Sequence, residues 1–329
     1  MPLMSILLHG AVLMAMVSPV MSAQDAVVIV PVADLWNDVA VSTSPLTNDH
    51  RETQLLFGER VKVLETKGPW SRIEAVQQEE YSHNNRWEGY PGWVRSEALD
   101  TAVVSSPSYV STSDWTQLWD RRGNPTKEMF FGALPIGAQI SPTGIDQNWI
   151  ETKQMGRSGF VDQERLLSLD RPRSSTIRTD ILSTASKFLG TPYLWGGLSQ
   201  KLPTERPLAL STGTVQAIGI DCSGLVHIAH RVHGVSVPRD SHEQWMKAKR
   251  IDARDLKPGD LIFAAKADKP EKIVHVVFYV GKQEILEAPQ TGMVVRRVSF
   301  KEKFGKPLSG LRSGDRAQDR ILYFGRLLS

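Results

Sequence analysis

Gly219-Ile220-Asp221-Cys222-Ser223-Gly224-Leu225 is the stretch that decides how this chain reads. A polar cluster turns here into a helix, which carries Leu225, Val226 and Ala229 inward before Gly234. Cys222 is the only cysteine among the 329 residues. A thiol at a helix N-terminus faces the positive end of the macrodipole, which shifts its pKa from ~8.5 into the range of roughly 3.5 to 7.5 and populates the thiolate. The expectation is a nucleophilic cysteine.

Such a nucleophile needs a base, and His275 is the best placed histidine. It sits in Val274-His275-Val276-Val277-Phe278-Tyr279-Val280, a strand apolar on both faces, where an unsatisfied imidazole would be costly. After Gly281-Lys282-Gln283 a returning strand carries Glu287. A hairpin with a three- or five-residue loop puts residues 275 and 287 directly opposite, so that Glu287 accepts from His275 and fixes its tautomer; a two-residue turn puts Ala288 there instead. His227 and His230 are three apart on the helix, a spacing that two metal ligands can share, but no carboxylate falls at a familiar interval. Exposed helix positions account for both, and neither a metal nor a cofactor is expected.

Around this centre the periodicity is α+β. An amphipathic helix over 179–189 is followed by the Cys222 helix. Strands are then expected over Asp260 to Ala264, Ile273 to Val280, Glu284 to Ala288 and Met293 to Val298. Upstream, beyond the polar linker Arg171-Pro172-Arg173-Ser174-Ser175, the chain is strand-like and carries an approximate repeat. One copy runs Leu56-Phe57-Gly58-Glu59, Val61-Lys62-Val63, Trp70-Ser71-Arg72-Ile73-Glu74, Pro91-Gly92-Trp93-Val94. The other runs Phe130-Phe131-Gly132-Ala133, Ala138-Gln139-Ile140, Trp149-Ile150-Glu151, Ser158-Gly159-Phe160-Val161. Two small β-barrels in tandem are expected, over 24–102 and 103–170, with the catalytic unit over 171–329. Gln77 to Glu88, present only in the first copy, reads as a long exposed loop, and Leu198 to Gly219 as an insertion near the nucleophile.

Residues 1–23 have the layout of a secretory signal peptide: an apolar stretch from Leu3 to Val17, Ser18-Pro19, then small residues at Ser22 and Ala23. The apolar run falls short of the ~20 residues that span a bilayer. A periplasmic or secreted protein without stable membrane insertion is expected. In such an oxidising compartment one unpaired cysteine points to a thiol kept for chemistry. A net charge of +3 is an ordinary solvated surface, and no nucleic-acid partner is expected.

Tyr193-Leu194-Trp195-Gly196-Gly197, Asp221-Cys222-Ser223-Gly224, Pro238-Arg239-Asp240-Ser241, Lys257-Pro258-Gly259-Asp260-Leu261 and His275 to Gly281, in this order, resemble an NlpC/P60 peptidase domain over about 178–329. The two upstream modules resemble bacterial SH3-like domains. With Glu52-Thr53-Gln54 and Gly89-Tyr90-Pro91-Gly92-Trp93-Val94, the arrangement is similar to that of γ-D-glutamyl-L-diamino acid endopeptidases. The resemblance implies a papain-like fold with Cys222 as nucleophile, His275 as base and Glu287, where many members have histidine, as the orienting group. Tyr193 would join the Cys222 amide at an oxyanion. Peptidoglycan stem peptides or their fragments would be the substrate. The need for a free N-terminal L-Ala would be met by Asp221, Ser223 and Ser241, with Glu52 and Tyr90 closing the pocket and Glu59 as a substitute for Glu52. The alternatives are a non-catalytic wall-binding protein, or an amidase or acyl transferase using the same dyad.

Overall fold

A computed structural model of the chain describes residues 23–39, 50–101, 107–122, 128–154, 157–172, 174–201 and 217–328. The expected signal peptide, apart from Ala23, and the middle of the 198–219 stretch lie outside the described residues.

Strand-forming sequence dominates as far as residue 168. In the first part seven antiparallel strands form one sheet in the order Arg51–Leu56, Val32–Trp36, Glu88–Arg95, Trp70–Glu80, Arg60–Lys67, Gln24–Val28 and Leu99–Asp100. In the second part a five-stranded sheet is built on Trp149–Gln154 and Arg157–Asp162, with a three-stranded sheet beside it. The repeat shows in the pairing. In each copy the strand opening on tryptophan pairs antiparallel with the strand carrying glycine, an aromatic residue and valine, with Ile73 opposite Gly92 and Ile150 opposite Val161. The strand orders are open among the described residues, so the two closed barrels expected from the repeat are not seen as such. The region expected as a long exposed loop is also different. Residues 77–80 continue a strand, with Gln78 and Glu80 buried, and only 81–87 turn back.

The C-terminal part is helices followed by an antiparallel sheet. Helix α1 is Ile177–Ser186, shorter than expected because the chain tightens into turns before the left-handed Gly190. Helix α2 is Cys222–Arg231 and α3 is Ser241–Lys247. The sheet runs Lys249–Arg250, Arg320–Arg326, Leu261–Lys266, Lys269–Gly281, Glu284–Glu287, Arg296–Ser299. Alternation sorts its two faces. Phe263, Val276, Phe278 and Leu286 meet α1 and α2, while Ile262, Val277, Ile285 and Phe324 meet a short helix α4, Phe300–Phe304.

Helix α2 is buried on every side. The apolar cluster around it extends beyond the C-terminal part to Val32 and Leu56 of the first sheet and to Val110, Trp115 and Ile136 of the second part. The expectation of exposed histidines on α2 is therefore wrong. His227 and His230 are buried, each with Nδ1 facing a backbone carbonyl, of Val237 at 2.9 Å and Val226 at 2.8 Å. Burial carries them down to about 3 and about 4, so both are neutral at pH 7. Arg231, at the end of α2, pairs with buried Glu59 at 2.9 Å. Leaving either charge alone in such an interior costs ~3–5 kcal/mol, so the pair locks α2 to the first sheet. Glu59 is thereby committed to Arg231 and to the Leu56 amide, and is no substitute for Glu52.

Candidate active site

Asp221 sets where α2 begins. Its backbone is extended, and its carboxylate accepts from the Gly224 amide at 2.6 Å and the Gly196 amide at 2.9 Å. Gly197 and Gly224 permit this. A Cβ on Gly197 would lie 2.4 Å from the Gly219 carbonyl oxygen, and one on Gly224 would lie 2.5 Å from that of Gly197. The Tyr193 to Gly197 loop is thus laid directly on the start of α2. Cys222 follows at the first helical position with 8% of its surface exposed.

The thiol does not behave as the helix terminus alone predicts. Burial, with Asp221 adding to it, pushes Cys222 up to about 12, against the pull of the Val276 and Ser223 amides and of Arg239. Desolvation outweighs the dipole here, so the resting group is a thiol. It lies against the backbone of Val276, next in the chain to His275.

His275 Nε2 is 3.2 Å from Glu287 Oε2. The contact arises by a different route from the expected one. Lys282 and Gln283, both at positive φ, make a two-residue turn, and an irregularity between Tyr279 and Gly281 shifts the register. Phe278 therefore faces Leu286, which brings Glu287 level with Val277. The two side chains meet diagonally, a span long side chains can bridge. Glu287 is fully buried and also holds Arg296, at 2.9 and 3.1 Å, and Lys303, at 2.6 Å. Burial opposes its charge, but His275 and Lys303 hold it at about 2. Burial likewise moves His275 below the ordinary histidine value, partly offset by Glu287. The imidazole is neutral at pH 7.

A third cluster joins the first sheet to the start of α2. Arg239, with no exposed surface, binds Asp221 through both terminal nitrogens, at 3.1 and 2.7 Å, donates to Ser223 Oγ at 3.1 Å, and donates through Nε to Thr53 Oγ1 at 2.7 Å. Beside it the Tyr90 hydroxyl is 2.9 Å from Asp240 Oδ2 and 3.3 Å from Glu52 Oε2. Gln54 binds both ends of the 198–219 stretch, accepting from the Leu198 amide at 3.0 Å and donating to the Ala217 carbonyl at 2.7 Å.

Asp221 and Ser223 are thus brought together by Arg239, Glu52 and Asp240 by the Tyr90 hydroxyl, and His275 and Glu287 by their own contact. Tyr193 stands near Cys222 and Asp221, whose charges, after burial, raise its hydroxyl well above the usual phenol range and keep it a donor. Ser241 opens α3, and its neighbour Asp240 is the residue that meets Tyr90. Arg239 and Asp240 stood out in the sequence only as part of the Pro238-Arg239-Asp240-Ser241 motif, with no role of their own, and Arg296 and Lys303 did not stand out. For Arg239 and Asp240 the available signal was a charged pair between Pro238 and a helix start.

A thiol and a carboxylate cluster closed by a second sheet thus stand at one helix terminus, and the carboxylate-held His275 precedes, on its strand, the Val276 whose backbone touches the thiol. The chain carries an NlpC/P60 domain: residues 190–311 match the model of the NlpC/P60 family. Over 270 residues, 81% of this chain and 82% of the relative, it is 28% identical to the gamma-D-glutamyl-L-lysine dipeptidyl-peptidase of Bacillus subtilis. It is 35% identical over 204 residues, 55% of this chain and 40% of the relative, to the peptidoglycan endopeptidase RipA of Mycobacterium tuberculosis. Among solved structures, an NlpC/P60 family protein from Bacillus cereus superposes with a TM-score of 0.71 at 22% identity, covering 93% of this chain and all of that one; the likeness is one of fold.

Proposed function

We propose that this chain is an exported cysteine peptidase that cleaves the γ-D-glutamyl bond to an L-diamino acid in peptidoglycan stem peptides, acting on released peptides with a free N-terminal L-Ala. The observation that carries this reading is the junction of Tyr90 and Glu52 with Asp240, immediately after the Arg239 that holds the cap of the Cys222 helix. A wall closed by carboxylates beside the proposed nucleophile suits a short peptide whose ammonium ends there better than a stem continuing into glycan. The relatives named as γ-D-glutamyl-L-lysine peptidases support the same bond. Residues 24–102 and 103–170 are read as SH3-like modules on their matching strand pairings, and residues 1–23 as a signal peptide. No helix among the described residues is long and apolar enough to cross a membrane.

In the proposed reaction Cys222 Sγ attacks the γ-carbonyl carbon as His275 takes the thiol proton. Nε2 donates to Glu287, which leaves Nδ1 as the accepting nitrogen. The oxyanion is met by the Cys222 amide and the Tyr193 hydroxyl. Collapse expels the diamino acid's amine, which receives the proton from His275 and leaves a thioester. His275 then deprotonates the water that releases L-Ala-γ-D-Glu.

The acid limb of kcat/KM tests the His275–Glu287 pair. Activity needs neutral His275, whose value is lowered by burial, so the limb is expected below pH 6.5. Glu287 favours the protonated ring. Glu287→Gln, which still accepts a hydrogen bond but leaves Lys303 and Arg296 facing the ring, should move the limb to still lower pH and retain part of the rate. Glu287→Ala should lose more. An unmoved limb with wild-type rates in both variants removes Glu287 from the site.

A further inference from the structure

The turn over residues 81–87 has its own anchorage. Ser82 Oγ donates to buried Glu243 of α3, and Lys247 pairs with Glu79 at 3.1 Å and lies 3.9 Å over the Trp87 ring. The Arg239 amide also donates to the Glu79 carbonyl at 2.9 Å. These contacts fix its position over α3 without the His83 imidazole, and the His83 backbone amide donates to Glu80 at 3.0 Å.

His83 does something else. Its Nδ1 is 3.1 Å from Glu80 Oε2 and its Nε2 is 3.6 Å from Glu52 Oε2. Its ring stands edge-on to Tyr90 at 5.1 Å. Glu80 is buried, and its Oε1 has no hydrogen-bond partner among the described residues, so His83 is the cation that balances it. The groups around the imidazole are Glu52, Glu80 and Glu88, with Asp240 beyond the Tyr90 hydroxyl. The Glu52 carboxylate and then Glu80 prevail over burial and hold the ring at about 9, charged at neutral pH. An imidazolium between two carboxylates fixes both. The Glu52 side chain, 22% exposed, would otherwise be free to turn to water.

We propose that His83 is a positioning residue that sets selectivity for a primary ammonium: clamped by Glu80, it holds Glu52 beside Tyr90 and Asp240, so that the three oxygens meet the substrate's amine already assembled. The proposal rests on the reading of this pocket as the amine site. Pre-assembly removes an ordering cost that each binding event would otherwise bear.

The test compares full-length wild type, His83→Gln and His83→Ala on free and N-acetylated L-Ala-γ-D-Glu-L-Lys. KM for the free peptide should rise on the order of tenfold in both variants, the scale of one charge-assisted hydrogen bond, with kcat within about twofold and turnover of the acetylated peptide unchanged. Gln should behave as Ala does, because the lost feature is charge. Calorimetry with the dipeptide L-Ala-γ-D-Glu should show the same loss of affinity without turnover; the melting temperature should fall alike in both variants, since each leaves Glu80 buried without its cation, so all rates are compared at a temperature where the three proteins are folded. If wild type discriminates between the two peptides and the variants keep the same ratio, His83 has no such role and the amine reading stands. The same conclusion follows if kcat falls with KM unmoved. If wild type does not discriminate, the amine reading itself falls and the proposal with it.

Discussion

Cys222→Ala is expected to lower cleavage of L-Ala-γ-D-Glu-diamino acid tripeptides on the order of ten-thousandfold or more, because the proposed covalent intermediate forms on its sulfur. His275→Ala should fall close to the same background. The Cys222 thiol is held up to about 12 by burial and by Asp221, so it needs a base in the same step and is not a standing thiolate. Residues that act as one unit are not additive, and the double variant should be no slower than either single one. Steady-state rates of the three purified variants, with folding checked by circular dichroism, measure this. No cleavage by the wild type would favour a binding protein, a wild-type rate in Cys222→Ala would remove Cys222 as the nucleophile, and a His275→Ala rate far above that of Cys222→Ala would assign the base elsewhere.

The second large effect concerns the substrate's N-terminus. Acetylating the L-Ala amine is expected to lower kcat/KM on the order of a hundredfold to a thousandfold, since it removes a charge and adds bulk where Glu52, Tyr90 and Asp240 converge. Burial, with Asp221 and Glu243 adding and Arg239 opposing, carries Asp240 up to about 6. At that value the carboxyl is already mostly ionised at neutral pH, and a cation beside it favours the charged form further. Competition assays with both peptides read the ratio. Equal turnover, or efficient release of peptides from intact sacculi, would leave a general wall endopeptidase.

The proposed nucleophile and base could be picked out from the sequence because each is marked locally. Asp221 and Gly224 flank Cys222 as cap and close-packing residue, and His275 is the polar member of an apolar strand. Parity brought Glu287 to the same face even though the turn was shorter and the register shifted, because two long side chains tolerate a diagonal pairing. What depends on docking was not legible. Arg239 reaches Thr53, and Gln54 reaches Ala217, across more than a hundred residues of chain, with no periodicity to announce them. His227 and His230 looked exposed because α2 carries polar residues on several faces. Its enclosure by the upstream sheets appears only when Glu59 is seen on Arg231. The same enclosure reversed the expected shift of the thiol, since desolvation acts through neighbours that the local motif does not contain.

The most direct test of the central claim is a mass-spectrometric digest of L-Ala-γ-D-Glu-L-Lys and its meso-diaminopimelate counterpart by the purified protein. The account predicts the dipeptide L-Ala-γ-D-Glu and the free diamino acid as the products from at least one of them, and neither product with Cys222→Ala. Cleavage after L-Ala, or the same products from the Cys222→Ala protein, would contradict it.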